Sequence, residues 1–574
     1  MGKSESEARM RNGTYWLIAI LIAAAALRLF GLGRGDPMND EVTYAFRAIG
    51  LVDSFNDPSV QSTPWEWFDP EIPRWAKISF HDHPPLVIWI QHLFFKLFGE
   101  RLWAFRLPSA ILGIASVGLM FAIGRRLFSE RAGLIGAAFL AATVNHVYVS
   151  RAGLQEPYVI FFMLLAVLLL LRGLARPRWV IASGAALGFG LLAKYTAIAA
   201  VPVLLGAILL LKPAEFRTRH FWLGVLAALV IVSPVIIYNV LLWRTAGHFD
   251  LQLSHILGKT PAVWAGSPGK AVGSLADRAR IFLPRLIASN SWVFLGLAAL
   301  SAAAFLAALI RRPLQSIRRF AIPALGALSI FGLIAATGPA FRFLTLLTPF
   351  LALGIGAMLA GVIKPATDPA ENSYSHVLKN MRIRNGALAA ALAPVVIFEA
   401  FYAANSQIAY YPLGPRPWLS SAIRYENFNW GYNELEAYLT RELRHTYPAA
   451  TFETKYRFVR ELQDASIGRA KASGAEPYPA LIAYYGNFDL APQLWIFDRR
   501  LMYHGWPVIP WLEYRKAAAA SGENAFARAG IQHEYFILQT NIVPEPEFAA
   551  LVRDIEPIPI ANPRGEEAFR VYKR

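Results

Sequence analysis

The sequence predicts a polytopic α-helical membrane protein with a soluble α/β domain at its C-terminal end. Hydrophobic residues make up 55% of the 574 positions, and apolar runs long enough to cross a bilayer recur through residue 404. After residue 405 the composition becomes polar and rich in Tyr and Trp. The net charge is +17, but many Lys and Arg lie in short clusters between apolar runs, which is typical of cytoplasmic loops. No nucleic-acid partner is therefore expected.

The chain contains no cysteine. Disulfides and thiolate metal sites are therefore excluded, and any extracytoplasmic domain must be held by its core. The first apolar run, 14–31, has no small-residue cleavage site after it and ends close to Arg28. We interpret it as a retained first span rather than a cleaved signal peptide.

The spans predicted from hydropathy number about 11, with a range of about 10 to 13. They lie near 14–31, 102–123, 131–149, 157–171, 179–194, 196–211, 220–243, 287–310, 320–337, 343–363 and 386–404. Within this set, the stretch 179–211 could also be one long tilted span.

Basic clusters set the predicted orientation in the cell (inner or plasma) membrane. If the N-terminus is cytoplasmic, the clusters at 125–131, 172–178, 212–219, 311–319 and 379–384 all fall on the cytoplasmic side. The segments predicted outside are 32–101, 150–156, the vicinity of Lys194, 244–286, 338–342 and everything after 405. We therefore expect a transmembrane domain over 1–404 and an extracytoplasmic domain over 405–574.

Within the first outer loop, 32–101, the apolar stretch Leu86–Phe98 is too short to span. We expect a helix lying in the outer interface, with its entry set by Pro84 and Pro85.

The C-terminal domain shows both helical and strand patterns. Residues Asn433–Arg444 have helical periodicity, whereas Ala480–Tyr485 and Glu534–Gln539 are typical of buried strands. This domain could serve as a structural cap over the membrane part or could bind an acceptor.

Carboxylates and cations gather on the predicted outer side. They are Asp40, Glu41, Asp82, His83, Arg151, Glu156, Lys194 and Arg342. A membrane scaffold under no chemical demand has little reason to collect such groups at one interface, so we expect a functional site there.

Four of these residues, in two short motifs, lie in the predicted first outer loop. A carboxylate at Asp40 or Glu41 could accept the proton of an attacking hydroxyl, although adjacent acids in a loop are also common on solvated surfaces. The segment His81-Asp82-His83 could ligate a divalent cation or contact a phosphate. Because alternate residues of an extended chain share a side, the three are not expected to bind one ion together.

The other candidates lie at the ends of predicted spans. Arg151 and Glu156 share a short loop, where they could pair with each other or face the site. Lys194 and Arg342 could be interfacial anchors or could offer cations to an anionic lipid head group.

No phosphate-binding G-x-G-x-x-G follows a strand, so no nucleotide cofactor is expected. Gly184, Gly188 and Gly190 lie within an apolar span, where small residues allow helices to approach closely. We expect them to serve packing.

Several motifs occur together in a recognisable order. They are Asp40-Glu41, His81-Asp82-His83-Pro84-Pro85-Leu86, Arg106-Leu107-Pro108-Ser109-Ala110, Gly124-Arg125-Arg126-Leu127-Phe128, Ser150-Arg151 and Glu156-Pro157. In this order the chain resembles the GT-C glycosyltransferases, and within them the branch of protein O-mannosyltransferases and the aminoarabinose transferases that modify lipid A. The resemblance covers roughly residues 14–200, with weaker support from 338–349.

The resemblance implies transfer of a hexosyl or pentosyl group from a polyprenyl-phosphate carrier on the extracytoplasmic side, with inversion at the anomeric carbon. The acceptor would be a hydroxyl or phosphate of a lipid, a glycan or a protein, and membrane lipids surround the enzyme. Asp40 matches the acid that acts as base, and Glu41 matches its partner in the Asp-Glu motif.

The remaining residues carry over less closely. His83 stands where some relatives have Lys near the lipid phosphate, and Glu156 departs from the more usual Asp. Lys194 and Arg342 correspond to cations that hold the carrier phosphate. Arg151 belongs to the same motif set and is expected to contact substrate.

One divalent metal ion is also a possibility under this resemblance. Asp82 matches a position that binds a metal in some members, and Glu41 is a second candidate ligand. A base that must accept a proton should not be a tight ligand, so Asp40 is kept out of this set.

Two other functions remain open from the sequence. A flippase or transporter of lipid-linked sugars would place binding groups near the bilayer midplane in repeated halves. Here the midplane is nearly free of charge, because Glu399 and His146 lie toward the outer ends of their spans, and no internal repeat is evident. A non-catalytic assembly protein is the other alternative.

Overall fold

The computed structural model describes residues 3–574 except 53–71, 81, 262–263, 265–272, 362–373, 424–428, 455 and 522–524. Helices account for most of the chain as far as Gln407. These are α1 Lys3–Leu29, α2 Asn39–Gly50, α3 Leu86–Phe98, α4 Leu102–Leu127, α5 Glu130–Ala142, α6 Val144–Arg151, α7 Glu156–Gly173, α8 Arg178–Ala193, α9 Ala200–Leu211, α10 Arg219–Ala246, α11 Leu251–Ile256, α12 Leu275–Ala288, α13 Trp292–Arg311, α14 Pro313–Thr337, α15 Phe341–Leu344, α16 Thr348–Leu359 and α17 Tyr374–Gln407. Short 3-10 turns lie at Arg74–Lys77, Tyr195–Ala199, Pro213–Arg217 and Thr345–Leu347.

Within the described residues, six helical segments are long and apolar enough to cross a membrane. They are Leu102–Leu127, Glu156–Gly173, Arg219–Ala246, Trp292–Arg311, Pro313–Thr337 and Phe341–Leu359. The pair α5 and α6, bent by 59°, would make a seventh as one broken span. The chain is therefore a multi-pass membrane protein, while the count of about 11 spans and the orientation of the termini stay predictions.

The break between α5 and α6 leaves backbone carbonyls without helical partners, and Arg28 of α1 binds them. Its guanidinium donates to the carbonyl oxygens of Ala141 and Leu140 at 2.9 and 3.3 Å and to His146 Nδ1 at 2.7 Å. Because unpaired backbone groups are costly inside a bilayer, this buried arginine stabilises the bend.

Two local predictions about helices are confirmed. Helix α3 has the expected bounds, Leu86–Phe98, and its 13 residues follow directly on Pro85. Gly184 of α8 lies so close to Gly224 of α10 that an added Cβ would meet the Gly224 carbonyl oxygen at 2.0 Å. Its role in packing is thus as expected.

The stretch 179–211 does not form one continuous helix. Helix α8 ends at Ala193, and Lys194 is extended with φ −164° and ψ 143° before the 3-10 turn Tyr195–Ala199 begins. The side chains of Lys194 and Tyr195 consequently leave the backbone in different directions and can reach different partners.

After Gln407 the chain alternates helices and strands. The elements are α18 Tyr432–Glu442, β1 Thr446–Pro448, α19 Arg457–Ala472, β2 Glu476–Tyr478, β3 Ala480–Tyr485, α20 Leu490–Pro492, a π-helical turn Gln493–Asp498, α21 Arg499–His504, β4 Val508–Pro510, α22 Trp511–Ser521, α23 Ala525–Arg528, β5 His533–Gln539, α24 Pro546–Leu551, β6 Ile558–Ala561 and β7 Glu567–Lys573.

A five-stranded sheet has the order β4-β3-β5-β7-β6, and β1 pairs with β2 separately. Strand β3 is parallel to both β4 and β5, with Ile482 opposite Val508 and Tyr535. Strand β7 is antiparallel to β5 and β6. The predicted strands near 480–485 and 534–539 are confirmed, whereas the division of the chain at residue 405 remains a prediction.

The C-terminal region packs directly on the segment between α1 and α4 and on α4 itself. The Trp495 ring lies 6.2 Å from the ring of Phe95 and 5.3 Å from that of Phe105. The hydroxyl of Tyr503 donates to the carbonyl of Phe46 at 2.8 Å. These residues belong to one buried apolar cluster, so the region after 405 is fixed above helices α2, α3 and α4.

Polar contacts reinforce the same junction. Asp36 accepts hydrogen bonds from the backbone N–H groups of Trp430 and Asn433, the latter at 3.0 Å, and so caps the start of α18. Glu100 accepts from His504 Nε2 at 2.9 Å and lies 3.5 Å from Arg499. The junction is therefore specific as well as apolar.

Candidate active site

Four of the predicted residues form a chain of alternating charge. Lys194 Nζ lies 2.6 Å from Glu156 Oε1, and Arg342 Nε lies 3.8 Å from the same oxygen. The other end of the Arg342 guanidinium contacts the carboxylate of Asp40. The chain runs from the fully buried Glu156 to Asp40, whose side chain is 45% exposed. The structure thus brings Asp40, Glu156, Lys194 and Arg342 together.

Element ends position these four side chains. Asp40 lies in the first turn of α2 and Glu156 in the first turn of α7, where the N-terminal end of a helix favours an acid. Lys194 follows the last residue of α8, and Arg342 lies in the short helix α15. Because the ends of α2, α7 and α8 meet beside α15, groups that are distant in sequence lie together in one site.

Helix α2 presents a second set of polar groups next to this chain. Asp40, Tyr44 and Arg47 lie on one helical face at spacings of four and three. Arg47 donates to Asp82 Oδ1 at 2.7 Å, and the Tyr44 hydroxyl lies 3.2 Å from His83 Nε2.

Tyr44 links the two sets electrostatically. Burial raises the pKa of Tyr44 well above its usual value, and the charges of Glu156 and Asp82 raise it further. The Tyr44 phenol therefore remains protonated and available as a donor. His83 lies next to the charge chain through its contact with Tyr44, and Asp82 through its bond with Arg47.

Glu41 has a different environment from its neighbour Asp40. Its two oxygens bind Arg106 as a fork, at 2.9 Å to Nε and 2.5 Å to Nη2. They also accept from the backbone N–H groups of Met38 and Gly153 at 3.0 and 2.8 Å. This buried ion pair ties α2 to α4 and to the loop before α7. Its predicted catalytic role stays a prediction, and any such role would act through the position of Asp40.

Arg151 lies outside the charge chain. It donates to the carbonyls of Leu27, Phe30 and Gly31 at 3.0, 2.8 and 3.1 Å, which closes the C-terminal end of α1. The alternative pairing of Arg151 with Glu156 is wrong, because Glu156 pairs with Lys194 instead. The assignment of Arg151 to substrate binding remains a prediction that this position does not support.

The two candidate metal ligands do not form a shared site. Asp82 binds Arg47 and lies 3.4 Å from His83, whereas Glu41 binds Arg106. In the part of the chain that the structure describes, no three His, Asp or Glu side chains are grouped as metal ligands. His81 lies outside the described residues. Since an arginine already neutralises each carboxylate, these residues fit ion pairs rather than a metal.

A further network lies behind Lys194. The hydroxyl of Tyr195 donates to Asp250 Oδ2 at 2.5 Å, and Asn239 Nδ2 donates to the same oxygen at 2.7 Å. The Asp250 N–H returns a bond to Asn239 Oδ1 at 2.8 Å. Burial raises the pKa of Asp250, and the charge of Asp82 adds to the shift. This network fixes the backbone next to Lys194.

Sequence reasoning missed Tyr44, Arg47 and Arg106 as site residues. Tyr44 and Arg47 could have been found from their helical spacing to Asp40. Arg106 begins the motif Arg106–Ala110, but the motif itself does not indicate that this arginine pairs with Glu41. The pairing of Tyr195 with Asp250 carries no sequence signal, because it joins two distant segments.

The chain is similar to known proteins in both sequence and fold. Residues 82–238 match the family model described as dolichyl-phosphate-mannose-protein mannosyltransferase. The crystal structure of ArnT from Cupriavidus metallidurans bound to undecaprenyl phosphate superposes with a TM-score of 0.51 and 16% identity over 98% of each chain. The chain has a GT-C glycosyltransferase fold. The resemblance drawn from the sequence motifs is thereby confirmed.

Two curated proteins of Bacillus subtilis (strain 168) are similar to part of this chain. "Putative mannosyltransferase YycA" is 30% identical over 174 residues, which is 30% of this chain and 24% of that protein. "Putative mannosyltransferase YkcB" is 28% identical over 241 residues, which is 41% of this chain and 32% of that protein. The matched stretches thus span no more than about a third of either relative.

Proposed function

We propose that this protein is an integral-membrane glycosyltransferase that moves a sugar from a polyprenyl-phosphate carrier to an acceptor hydroxyl or phosphate, with inversion. The observation that carries this proposal is the chain Lys194–Glu156–Arg342–Asp40. It places cations that can bind a phosphate beside a reachable carboxylate. The description of the matching family and the undecaprenyl phosphate bound to ArnT support a lipid-linked donor.

Asp40 is the general base in this proposal. Its carboxylate is the most exposed of the four charged groups, so an acceptor hydroxyl can reach it. The acceptor oxygen forms a bond to the anomeric carbon as the bond from that carbon to the phosphate oxygen breaks. The hydroxyl proton passes to Asp40, and the electron pair leaves with polyprenyl phosphate.

Arg342 and Lys194 stabilise the departing phosphate. Negative charge grows on the phosphate as the bond breaks, and preorganised cations lower the energy of that charge. Before the donor binds, Arg342 is held between two carboxylates. A phosphate at this position would draw Arg342 away from Asp40 and leave Asp40 able to accept a proton. Donor binding and activation of the base would therefore be coupled.

Glu156 has a separate part in the proposal. Its Oε1 binds Lys194, while Oε2 is buried and, within the described residues, has no hydrogen-bond partner. A buried acceptor without a donor is unfavourable, so a ligand hydroxyl at this oxygen would be bound well. We assign Glu156 to a hydroxyl of the transferred sugar and His83 to the polar surroundings of the carrier phosphate.

The reaction is assigned to the extracytoplasmic face of the cell membrane, with the N-terminus in the cytoplasm. A carrier keeps its isoprenoid chain in lipid while its phosphate lies at head-group level. The site must therefore open both to the bilayer and to the outside. The region after residue 405 packs over the first outer loop and is positioned to contact the acceptor. The acceptor class is a lipid, a glycan or a protein.

Donor turnover tests the proposal. The purified protein in lipid nanodiscs should consume one member of a panel of undecaprenyl-phosphate sugars. The Asp40→Asn variant should bind that donor but not consume it. Asp464→Asn, an exposed acid on α19, is the matched control and should retain activity. Donor movement across the bilayer without cleavage of its sugar–phosphate bond would instead establish a flippase.

A further inference from the structure

Exposed apolar side chains gather where α12 and α17 end and α13 begins. This end of α12 lies near the candidate site, because the Arg285 guanidinium is 5.9 Å from the ring of Phe341, the neighbour of Arg342. We define the collar surface as Leu283, Ile287, Trp292, Leu413 and Trp418. The two loop residues are prominent, since Leu413 is 67% and Trp418 59% exposed. Single exposed apolar residues need no explanation, but a group of this size on one surface does.

The loop that carries Leu413 and Trp418 is held firmly. Asn405 Oδ1 accepts from the Leu413 N–H at 2.8 Å, and Asn405 Nδ2 donates to the carbonyls of Leu413 and Leu419 at 2.9 and 2.8 Å. The hydroxyl of Tyr402 donates to the carbonyl of Pro417 at 3.1 Å. The apolar side chains therefore point outward from a preorganised loop.

Trp292 fixes the depth of this loop. It is the first residue of the spanning helix α13, and its Nε1 donates to the carbonyl of Trp418 at 3.3 Å. The two indole rings lie 6.0 Å apart. Along α13 the exposed side chains of Leu300 and Leu306 continue the apolar surface into the predicted bilayer. Trp side chains are characteristic of the level where head groups meet acyl chains.

Helix α12 joins the same surface. The hydroxyl of Ser421 donates to the carbonyl of Ala288, the last residue of α12, at 2.6 Å. Arg278 donates to the carbonyl of Ala336 at 3.1 Å near the C-terminal end of α14. Every residue of α12 is at least partly exposed, including Leu283 and Ile287. An amphipathic helix at the end of a span is typical of an interfacial position.

We propose that the collar surface inserts into the lipid leaflet on the side of the candidate site and anchors the start of the C-terminal region there. The occupant is phospholipid, because the surface is continuous with the lipid-facing side of a spanning helix. Arg416, exposed on the same loop, offers a cation to lipid phosphates. This anchor does not depend on the reaction that the protein catalyses.

Site-directed labels can test the anchor because the chain has no cysteine. Leu413→Cys would carry an environment-sensitive NBD fluorophore, in nanodiscs that hold one copy each. Val543→Cys is the matched control, since Val543 is apolar and 89% exposed in the C-terminal region. Lipids with a nitroxide near the head group or near the acyl end supply the quencher.

The label at 413 should show blue-shifted emission and should be quenched at least several-fold more than the label at 543. The shallow nitroxide should quench it more than the deep one. A label at Ile287→Cys, on the separate helix α12, should behave like that at 413 and gives an independent measurement. Equal quenching at 413 and 543 would overturn the proposal. A blue-shifted label at 413 that lipid nitroxides do not quench would overturn it as well, and would indicate a protein occupant.

Discussion

Arg342 contacts the carboxylate of Asp40 and also approaches Glu156 to 3.8 Å. One guanidinium therefore bridges an exposed acid on α2 and a buried acid on α7. The proposed reaction uses this bridge, because a phosphate that binds Arg342 would release Asp40.

Replacement of Asp40 by Asn should slow turnover strongly without loss of folding. Asn keeps the size of the side chain but cannot accept the hydroxyl proton, so the rate should fall by about 10²- to 10⁴-fold. Mass spectrometry of envelope glycans and glycoproteins from a strain lacking the protein, complemented with this variant, would report the product. Normal modification by Asp40→Asn would exclude it as the base.

Replacement of Lys194 by Met should weaken carrier binding and destabilise the fold. Loss of a hydrogen bond to a charged group corresponds to about 1.5–3 kcal/mol, or about 10- to 100-fold in affinity. It also removes the closest cation from the buried Glu156, which keeps Arg342 at 3.8 Å, so the loss of stability should stay below the roughly 3–5 kcal/mol of a fully broken buried pair.

A double variant separates these two effects. In Lys194→Met/Glu156→Gln the uncompensated charge is gone, so the unfolding temperature should return toward that of the parent. Carrier affinity, measured with undecaprenyl phosphate, should stay low. Recovery of affinity in the double variant would show that Lys194 serves only to neutralise Glu156.

Replacement of Glu41 by Gln should destabilise the protein by about 3–5 kcal/mol, because Arg106 would be left buried with a neutral partner. Thermal unfolding in nanodiscs measures the loss. Arg106→Lys should also destabilise, since an ammonium cannot form the two-bond fork. An unfolding temperature unchanged in both variants would refute the structural role of this pair.

The Glu100–His504 contact predicts acid sensitivity of the junction between the membrane part and the C-terminal region. Burial alone would raise the pKa of Glu100, but the charge and hydrogen bond of His504, with Arg499 and Arg469, hold it at about 2. Because the pKa of Glu100 is lower in the folded protein, ionised Glu100 stabilises the fold at pH values above its ordinary pKa of 4.5. This stabilisation is lost as the pH falls toward about 2.

Hydrogen exchange of α21 as a function of pH checks this expectation. Protection should fall between about pH 4.5 and 2 in the parent and should depend less on pH in Glu100→Gln. Asp36 has the opposite pH dependence. Burial raises its pKa to about 7, so its contribution to the stability of the fold weakens as the pH rises from 3.8 to about 7. Glu100→Gln should leave that second effect intact.

Replacement of Tyr195 by Phe should weaken the carrier site indirectly. It removes the hydroxyl that donates to Asp250 and leaves the packing of the ring unchanged. This bond holds the backbone beside Lys194. The KM for the donor should therefore rise by about 3- to 10-fold, and kcat should fall by less than that. The same substitution at Tyr447, on β1, is the control. An unchanged KM in Tyr195→Phe would show that Asp250 does not position the site.

The sequence contained enough information for the membrane class, for the bounds of α3 and for the strands near 480 and 534, because each follows from local hydrophobic periodicity. It also placed Asp40, Glu156, Lys194 and Arg342 on one side, since basic clusters fix loop orientation. The sequence could not show which charged side chain pairs with which partner. Arg151 and Arg106 are both arginines near the outer ends of helices, yet one caps α1 and the other clamps Glu41. Only the packing of α1, α2 and α4 decides between these outcomes.

The cap that Asp36 provides to α18 has a consequence for biogenesis. Asp36 emerges early from the ribosome, whereas its partners Trp430 and Asn433 are synthesised after all of the predicted spans. The predicted spans are therefore synthesised while this acid still lacks these two partners, and the junction can close only after the later segment has been made. Completion of the fold therefore depends on a contact between two parts of the chain almost 400 residues apart, Asp36 with Trp430 and Asn433.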